Sequence, residues 1–154
     1  VCTLDELSQT RLLNIVDLKN RIKSIVNFRE KENFTEIQKV ITRVSKLANN
    51  SNLSTDVLST RDCLNTELFE KDCEFKVFEF IRELEKLFSK DYSNYLELLN
   101  LFKINIKTME DLFDNEKGVL IMSEDLKIRN NRLNMLSLIR NYSLKIADFT
   151  FLNS

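Results

Sequence analysis

The 154-residue chain contains no histidine, no proline and a single glycine, Gly118. Without histidine it lacks the commonest general base and the commonest metal ligand of proteins. With one glycine it cannot carry the glycine-rich loops that cradle phosphates or the elbow that presents a nucleophilic serine. The sequence therefore predicts a protein that is not an enzyme and that binds no metal or other cofactor.

Long apolar runs and a strong net charge are also absent. The longest undiluted apolar run is Val119 to Met122, far below the roughly 18 residues of a membrane span. The net charge of −1 creates no field that would draw in nucleic acid. We therefore expect a protein partner, no nucleic-acid partner and no membrane insertion, whereas neither the compartment nor the oligomeric state follows from the sequence.

The scarcity of glycine and proline favours helices, and several segments show helical spacing of apolar residues. A capping-box pattern at Thr3 and Glu6 predicts the first helix, with a buried face that contains Ile15, Leu18, Ile22 and Ile25. A second amphipathic helix is predicted over 37–47. We expect an all-α fold, in which residues 1–154 form one compact bundle of five to six helices.

The segment 61–88 holds two of the three cysteines and many aromatic residues. Its pattern predicts a long helix from Asp62 or Thr66 to Phe88. If that helix is continuous, Cys63 and Cys73 lie about 15 Å apart, too far for a disulfide. A break at Asn65 would leave open a pairing of these thiols, or one with Cys2.

Two groups of residues are candidates for a partner-binding surface. Phe75 and Phe78 point away from the main apolar stripe of their helix, either towards a second neighbouring helix or towards a partner. Arg129, Arg132 and Arg140 lie on one side of a final helix that carries no acid between residues 126 and 147. They fit an acidic partner, or the acidic helices of the chain itself.

Other polar features point to structure more than to chemistry. The carboxylates at Glu67, Glu70, Asp72 and Glu74 are expected to face solvent, with an acid/base or metal enzyme as the alternative. Asn49 and Asn52 are glycosylation acceptors in a predicted loop, which is typical of a secreted protein. Gly118 is expected to end a short helix in the left-handed conformation.

Two family resemblances rest on quoted residues. The pattern CLNTELFEKDC over Cys63–Cys73 resembles the short-chain helical cytokines, which implies a secreted four-helix bundle that binds a receptor. The segment from Ile37 to Phe88 resembles the N-terminal helical domain of the elongation factor TFIIS. The resemblance rests on a turn that contains Leu53, Val57, Leu58, Thr60 and Leu64. No family is assigned from these patterns. The function expected from the sequence is a non-enzymatic interaction module with a helical surface, or alternatively a cytokine-like ligand.

Overall fold

The structure, a computed structural model, describes the backbone of residues 4–31, 34–90 and 93–152, and side chains within 14–30, 34–90 and 93–152. These residues form six α-helices: α1 (Leu4–Lys31), α2 (Phe34–Ala48), α3 (Asp72–Lys90), α4 (Tyr95–Ile104), α5 (Ile106–Asp111) and α6 (Leu126–Leu144), with a 3-10 helix at Thr66–Leu68. The all-α prediction is confirmed, and the predicted helix over 37–47 is α2. The cap at Thr3 lies outside the described residues, and the assignment of 1–154 to one domain stays a prediction.

Helix α6 runs through the centre of the bundle and packs against α2 and α3. Every side chain from Asn131 to Ser143 is buried, except that of Asn134, which is half-buried. Burial of each large apolar side chain here, such as Leu136 or Ile139, contributes about 1.5–3 kcal/mol to stability. A helix enclosed on all sides must also bury its polar residues, so each of these needs a partner within the fold.

Three of the polar residues of α6, Asn131, Asn141 and Tyr142, find those partners in the irregular connector 49–65. The Asn131 side chain accepts from the backbone N–H of Asn65 at 2.8 Å and donates to its carbonyl at 2.9 Å. Asn141 Nδ2 donates to the carbonyl oxygens of Ser54 and Val57 at 2.9 and 2.7 Å, and the Tyr142 hydroxyl donates to that of Leu58 at 2.7 Å. These side-chain bonds hold the connector against α6, and the connector's own backbone bonds form only short turns, such as the Leu64 N–H to Thr60 carbonyl bond at 3.2 Å.

The hydrogen bonds between Asn131 and the Asn65 backbone explain why the prediction of a long helix from Asp62 or Thr66 is wrong. The Asn65 backbone groups are taken by Asn131, and the Asn65 side chain accepts from the N–H of Glu67 to cap the 3-10 turn. Helix α3 therefore begins only at Asp72. Cys63 and Cys73 are free thiols, and Cys2 lies outside the described residues.

The first helix does not bury the face that its sequence predicts. Ile15, Leu18 and Ile22 are 61%, 49% and 52% exposed, whereas Phe28 is 2% exposed and Ile25 is partly buried. Helix α1 packs on α4 through a different side, where the Tyr95 hydroxyl donates to Asp17. The prediction of one buried apolar face on α1 is therefore wrong for its middle turns.

Gly118 is required for a reason other than the one predicted. It has no positive φ, so the expected left-handed conformation is wrong. A Cβ at this position would lie 2.4 Å from the Asp114 carbonyl oxygen and 2.5 Å from that of Leu112. The glycine is needed because the backbone crosses itself closely in the turn after α5.

Replacing Gly118 with alanine is expected to lower the free energy of unfolding by about 1–3 kcal/mol, the range typical of overpacking. Relief of the clash must move backbone, because both contacts are carbonyl oxygens, and this strains the Val119 N–H to Leu112 carbonyl bond of 3.0 Å. Urea unfolding measures the loss. Asn115→Ala in the same exposed turn is the control, and equal losses for both variants would contradict this account.

Within the part of the chain that the structure describes, none of the helices is both long and apolar enough to cross a lipid bilayer.

Candidate nucleic-acid interface

The two phenylalanines predicted as a partner surface lie at the start of α3. Phe75 is 46% exposed, and Phe78 is half-buried. Both rings contact Phe69, with centroid distances of 5.1 and 5.8 Å in edge-to-face arrangements. They form a small aromatic cluster of which Phe75 is the accessible member. Partner binding by Phe75 and Phe78 stays a prediction.

The three arginines predicted on α6 are occupied within the fold. Arg132 is 3% exposed, and its Nε lies 2.8 Å from Glu74 Oε1 while its Nη2 lies 2.6 Å from Glu70 Oε2. Burial would lower the pKa of Arg132, but the hydrogen bonds to Glu74 and Glu70 outweigh it and raise the pKa. Glu74 is 0% exposed, so the expectation that its carboxylate faces solvent is wrong.

Arg140 and Arg129 contact backbone carbonyl groups. Arg140 is 9% exposed, and its guanidinium donates to the carbonyl oxygens of Ala48 and Leu53, both at 3.4 Å. Burial lowers the pKa of Arg140. Arg129 Nε donates to the Ser123 carbonyl at 2.7 Å. The alternative of pairing with acidic residues of the chain itself describes Arg132, whereas Arg129 and Arg140 donate to backbone carbonyl groups. A role of the three arginines in partner binding stays a prediction.

Asn49 and Asn52 are exposed at the start of the connector, as the loop prediction requires. Their glycosylation stays a prediction.

A different cationic surface lies on α2. Its inward side is buried through Ile37, Ile41 and Val44, each 0% exposed. The opposite side carries exposed cations at a spacing of four and three residues, so that all of them project from one side of the helix. We call this side the α2 face: Thr35, Gln38, Lys39, Thr42, Arg43 and Lys46, which together line one shallow groove.

The cations of the α2 face have no ion-pair partner among the residues that the structure describes. In the described residues, no carboxylate lies within ion-pair distance of Lys39, Arg43 or Lys46. Glu36 is the one acid of α2 and sits in its first turn. By contrast, the exposed cations Lys76 and Lys107 pair with Asp72 and Asp111, each at 2.7 Å.

Two contacts fix the borders of the α2 face. The Arg43 guanidinium carbon lies 4.3 Å from the centroid of the Phe113 ring, a cation–π geometry that holds the side chain in place. The Gln38 amide donates to the carbonyl of Leu152 near the end of the described chain. The backbone positions of Lys39 and Lys46 lie about 10 Å apart along the helix axis. Thr42 lies between them, and Thr35 lies one turn before Lys39.

This arrangement suits an extended polyanion. Lysine and arginine side chains that project from one helix face, with hydroxyl and amide donors beside them, are the groups that contact nucleic-acid phosphates.

Among the described side chains, no group of three or more histidine, cysteine, aspartate or glutamate residues could hold a metal ion.

The sequence contains a signal for the α2 face. The buried stripe of 37–47 was predicted, and the residues between its members include Lys39, Arg43 and Lys46 at spacings of four and three. The sequence pattern instead favours the basic residues of 126–147 as a binding surface, because no acid lies among them. Only the structure separates cations that have carboxylate or carbonyl partners from cations that have no such partner in the described part of the chain.

Comparison with known proteins gives consistent relatives. The chain is 32% identical over 146 residues to the glycine–tRNA ligase beta subunit of Picosynechococcus sp., an alignment that covers 94% of this chain and 20% of the relative. The beta subunits of Persephonella marina and Shewanella woodyi are 33% and 30% identical over 84% and 88% of the chain, and 17% and 19% of their own lengths. The chain thus spans about a fifth of the length of these curated relatives. No family model matches the chain.

These relatives contradict the function expected from the sequence. The predictions of a non-enzymatic interaction module and of a secreted cytokine-like glycoprotein are both wrong, because nearly the whole chain aligns with subunits named for a ligase. The prediction that the protein is not an enzyme is wrong for the same reason. The expectation of no nucleic-acid partner is also wrong, because that ligase is named for tRNA.

Proposed function

We propose that this chain is a tRNA-binding part of a glycine–tRNA ligase beta subunit. The alignment of 94% of the chain with such subunits supports the choice of enzyme. The α2 face supports the role within it, because it presents Lys39, Arg43 and Lys46 without carboxylate partners among the described residues. That unneutralised face is the observation on which the proposal depends.

The three cations would each approach a phosphate of the tRNA backbone. Lysine contributes a flexible point charge, whereas the guanidinium of Arg43, held against Phe113, offers a fork that matches two phosphate oxygens. Thr35 and Thr42 would add hydroxyl donors on either side of Lys39. Contacts of this kind set the affinity and the position of an RNA but do not read its sequence.

Within the ligase, this chain would hold the tRNA while the reaction takes place elsewhere on the enzyme. A ligase that joins an amino acid to tRNA must keep the reacting end of the tRNA in place, and contacts distant from that end supply binding energy for this purpose. Weakening the α2 face should therefore raise KM for tRNA more than it lowers kcat.

The salt dependence of tRNA binding tests the proposal. For the 154-residue chain and a glycine-accepting tRNA, the logarithm of the association constant should fall with the logarithm of salt concentration. We expect a slope of about −2 to −3, which corresponds to three phosphate contacts. Fluorescence anisotropy over a series of salt concentrations measures it. A slope near zero, or the absence of binding at low salt, would contradict the proposal.

A further inference from the structure

Helix α1 exposes an apolar side that could pack against another protein surface. Ile15, Leu18, Ile22 and Val26 are 61%, 49%, 52% and 47% exposed. Their spacing of three, four and four residues keeps them on one side of the helix over three turns. We call these four residues the α1 stripe. A continuous apolar seam of this spacing is the kind that packs against another helix.

The rest of the described fold does not use this stripe. Helix α1 contacts α4, and Tyr95 of α4 donates to Asp17. Phe28 inserts into the core and Ile25 packs against it. Taking 100° per residue, Asp17 and Phe28 lie well over 90° around the helix from Ile22. The bundle therefore holds α1 by one side and presents the α1 stripe on another.

The charges beside the stripe indicate the character of its occupant. Lys19 and Lys23 are exposed and follow one edge of it, and Lys19, Ile22, Lys23 and Val26 line one shallow groove. Glu30 lies beyond the C-terminal end of the stripe. A second copy of the chain would bring its own lysines to this edge, and like charges across a helix pair are destabilising. A surface whose apolar residues are bordered by carboxylates fits better.

We propose that the α1 stripe docks on a helical, acid-bordered surface of the remainder of the same beta subunit. This inference rests on the proposed function. Because the chain matches about a fifth of each relative, most of such a subunit lies outside the matched part and is available to cover α1. The α1 stripe is then an interface between parts of one enzyme, while the α2 face on another helix stays open for tRNA.

The test measures binding between two polypeptides. The probe is the beta subunit of the same organism from which the segment corresponding to this chain has been deleted. Isothermal titration calorimetry with the 154-residue chain should give saturable one-to-one binding. Ile22→Gln with Val26→Gln should raise the Kd about tenfold or more, because both side chains lose apolar burial. Lys19→Glu with Lys23→Glu should also raise it.

Matched variants and a second measurement keep the result interpretable. Ile104→Gln with Leu120→Gln removes two exposed apolar side chains that do not belong to α1, 76% and 69% exposed, and should leave the Kd within about twofold. Thermal unfolding should be alike for all variants, because every altered side chain is exposed. Unchanged binding in the Ile22 and Val26 variant, no binding by the wild-type chain, or a stripe-dependent dimer in sedimentation would each overturn the proposal. The tRNA affinity of the uncharged Ile22 and Val26 variant separates the two proposals: it should stay unchanged if the α2 face binds tRNA, whatever covers α1.

Discussion

Replacing Arg132 with methionine is expected to lower the free energy of unfolding by about 3–5 kcal/mol, the range for removing one partner of a buried ion pair. The Arg132 side chain is 3% exposed, and its guanidinium contacts the Glu74 carboxylate, whose side chain is 0% exposed. Methionine fills a similar volume but leaves the Glu74 carboxylate without its cation in the interior. It also removes the donor to the Leu120 carbonyl at 2.9 Å. Urea unfolding followed by circular dichroism measures the loss.

A surface arginine provides the control for Arg132. Arg82 pairs with Glu85 at 2.8 Å, but the two side chains are 55% and 24% exposed. Exposed pairs contribute about 0–1 kcal/mol, so Arg82→Met should cost no more than that. If both substitutions cost the same, Arg132 would not be the buried anchor between α6 and the start of α3 that the structure describes.

The fold class could be predicted from the sequence because it depends on local properties. The scarcity of glycine and proline excludes most turn-rich architectures, and α2 has the regular apolar spacing of a helix with one buried side. Ile37, Val40, Ile41 and Val44 are all buried as that spacing predicts. A helix at the surface of a bundle shows its environment in its own sequence.

Helix α6 shows why this reasoning stops at the centre of the bundle. Enclosed on all sides, α6 has no polar side to contrast with an apolar one, so Asn131, Arg132 and Arg140 look like surface residues. Each instead satisfies groups distant in sequence, such as the Asn65 backbone and the Glu74 carboxylate. Such contacts depend on tertiary structure, and the break at Asn65 could not be predicted without them.

The candidate site was missed for the same reason. Formal charge is a property of the sequence, but free charge is a property of the fold. Lys76 and Arg132 are neutralised by Asp72 and Glu74, whereas the cations of the α2 face have no such partner in the described residues. The exposed α1 stripe is a second example, since its apolar spacing is that of a buried side. If the rest of a longer subunit packs against the α1 stripe, as we propose, these residues are buried in the whole protein.

Neutralising the α2 face is expected to weaken tRNA binding strongly. With Lys39, Arg43 and Lys46 all changed to glutamine, three phosphate contacts are lost while helix propensity is kept. At about 1 kcal/mol for each contact, the Kd should rise roughly a hundredfold at physiological salt. The salt-dependence slope should also become shallower by about 1 for each cation removed. Because the three side chains are exposed, the thermal unfolding midpoint should change little.

An equal loss of charge elsewhere is the matched control. Arg61, Lys86 and Lys90 are exposed on the connector and α3, and their change to glutamine removes the same net charge from another surface. If a general positive charge were enough for binding, both triple variants would lose affinity alike.

The most direct measurement is therefore the affinity for a glycine-accepting tRNA, by fluorescence anisotropy, of the wild-type chain and these two triple variants at several salt concentrations. We expect the α2 variant to bind roughly a hundredfold more weakly with a shallower slope, and the control variant to bind within about threefold of the wild type. Equal affinities for the α2 variant and the wild type would contradict the assignment of α2 as the surface that holds tRNA.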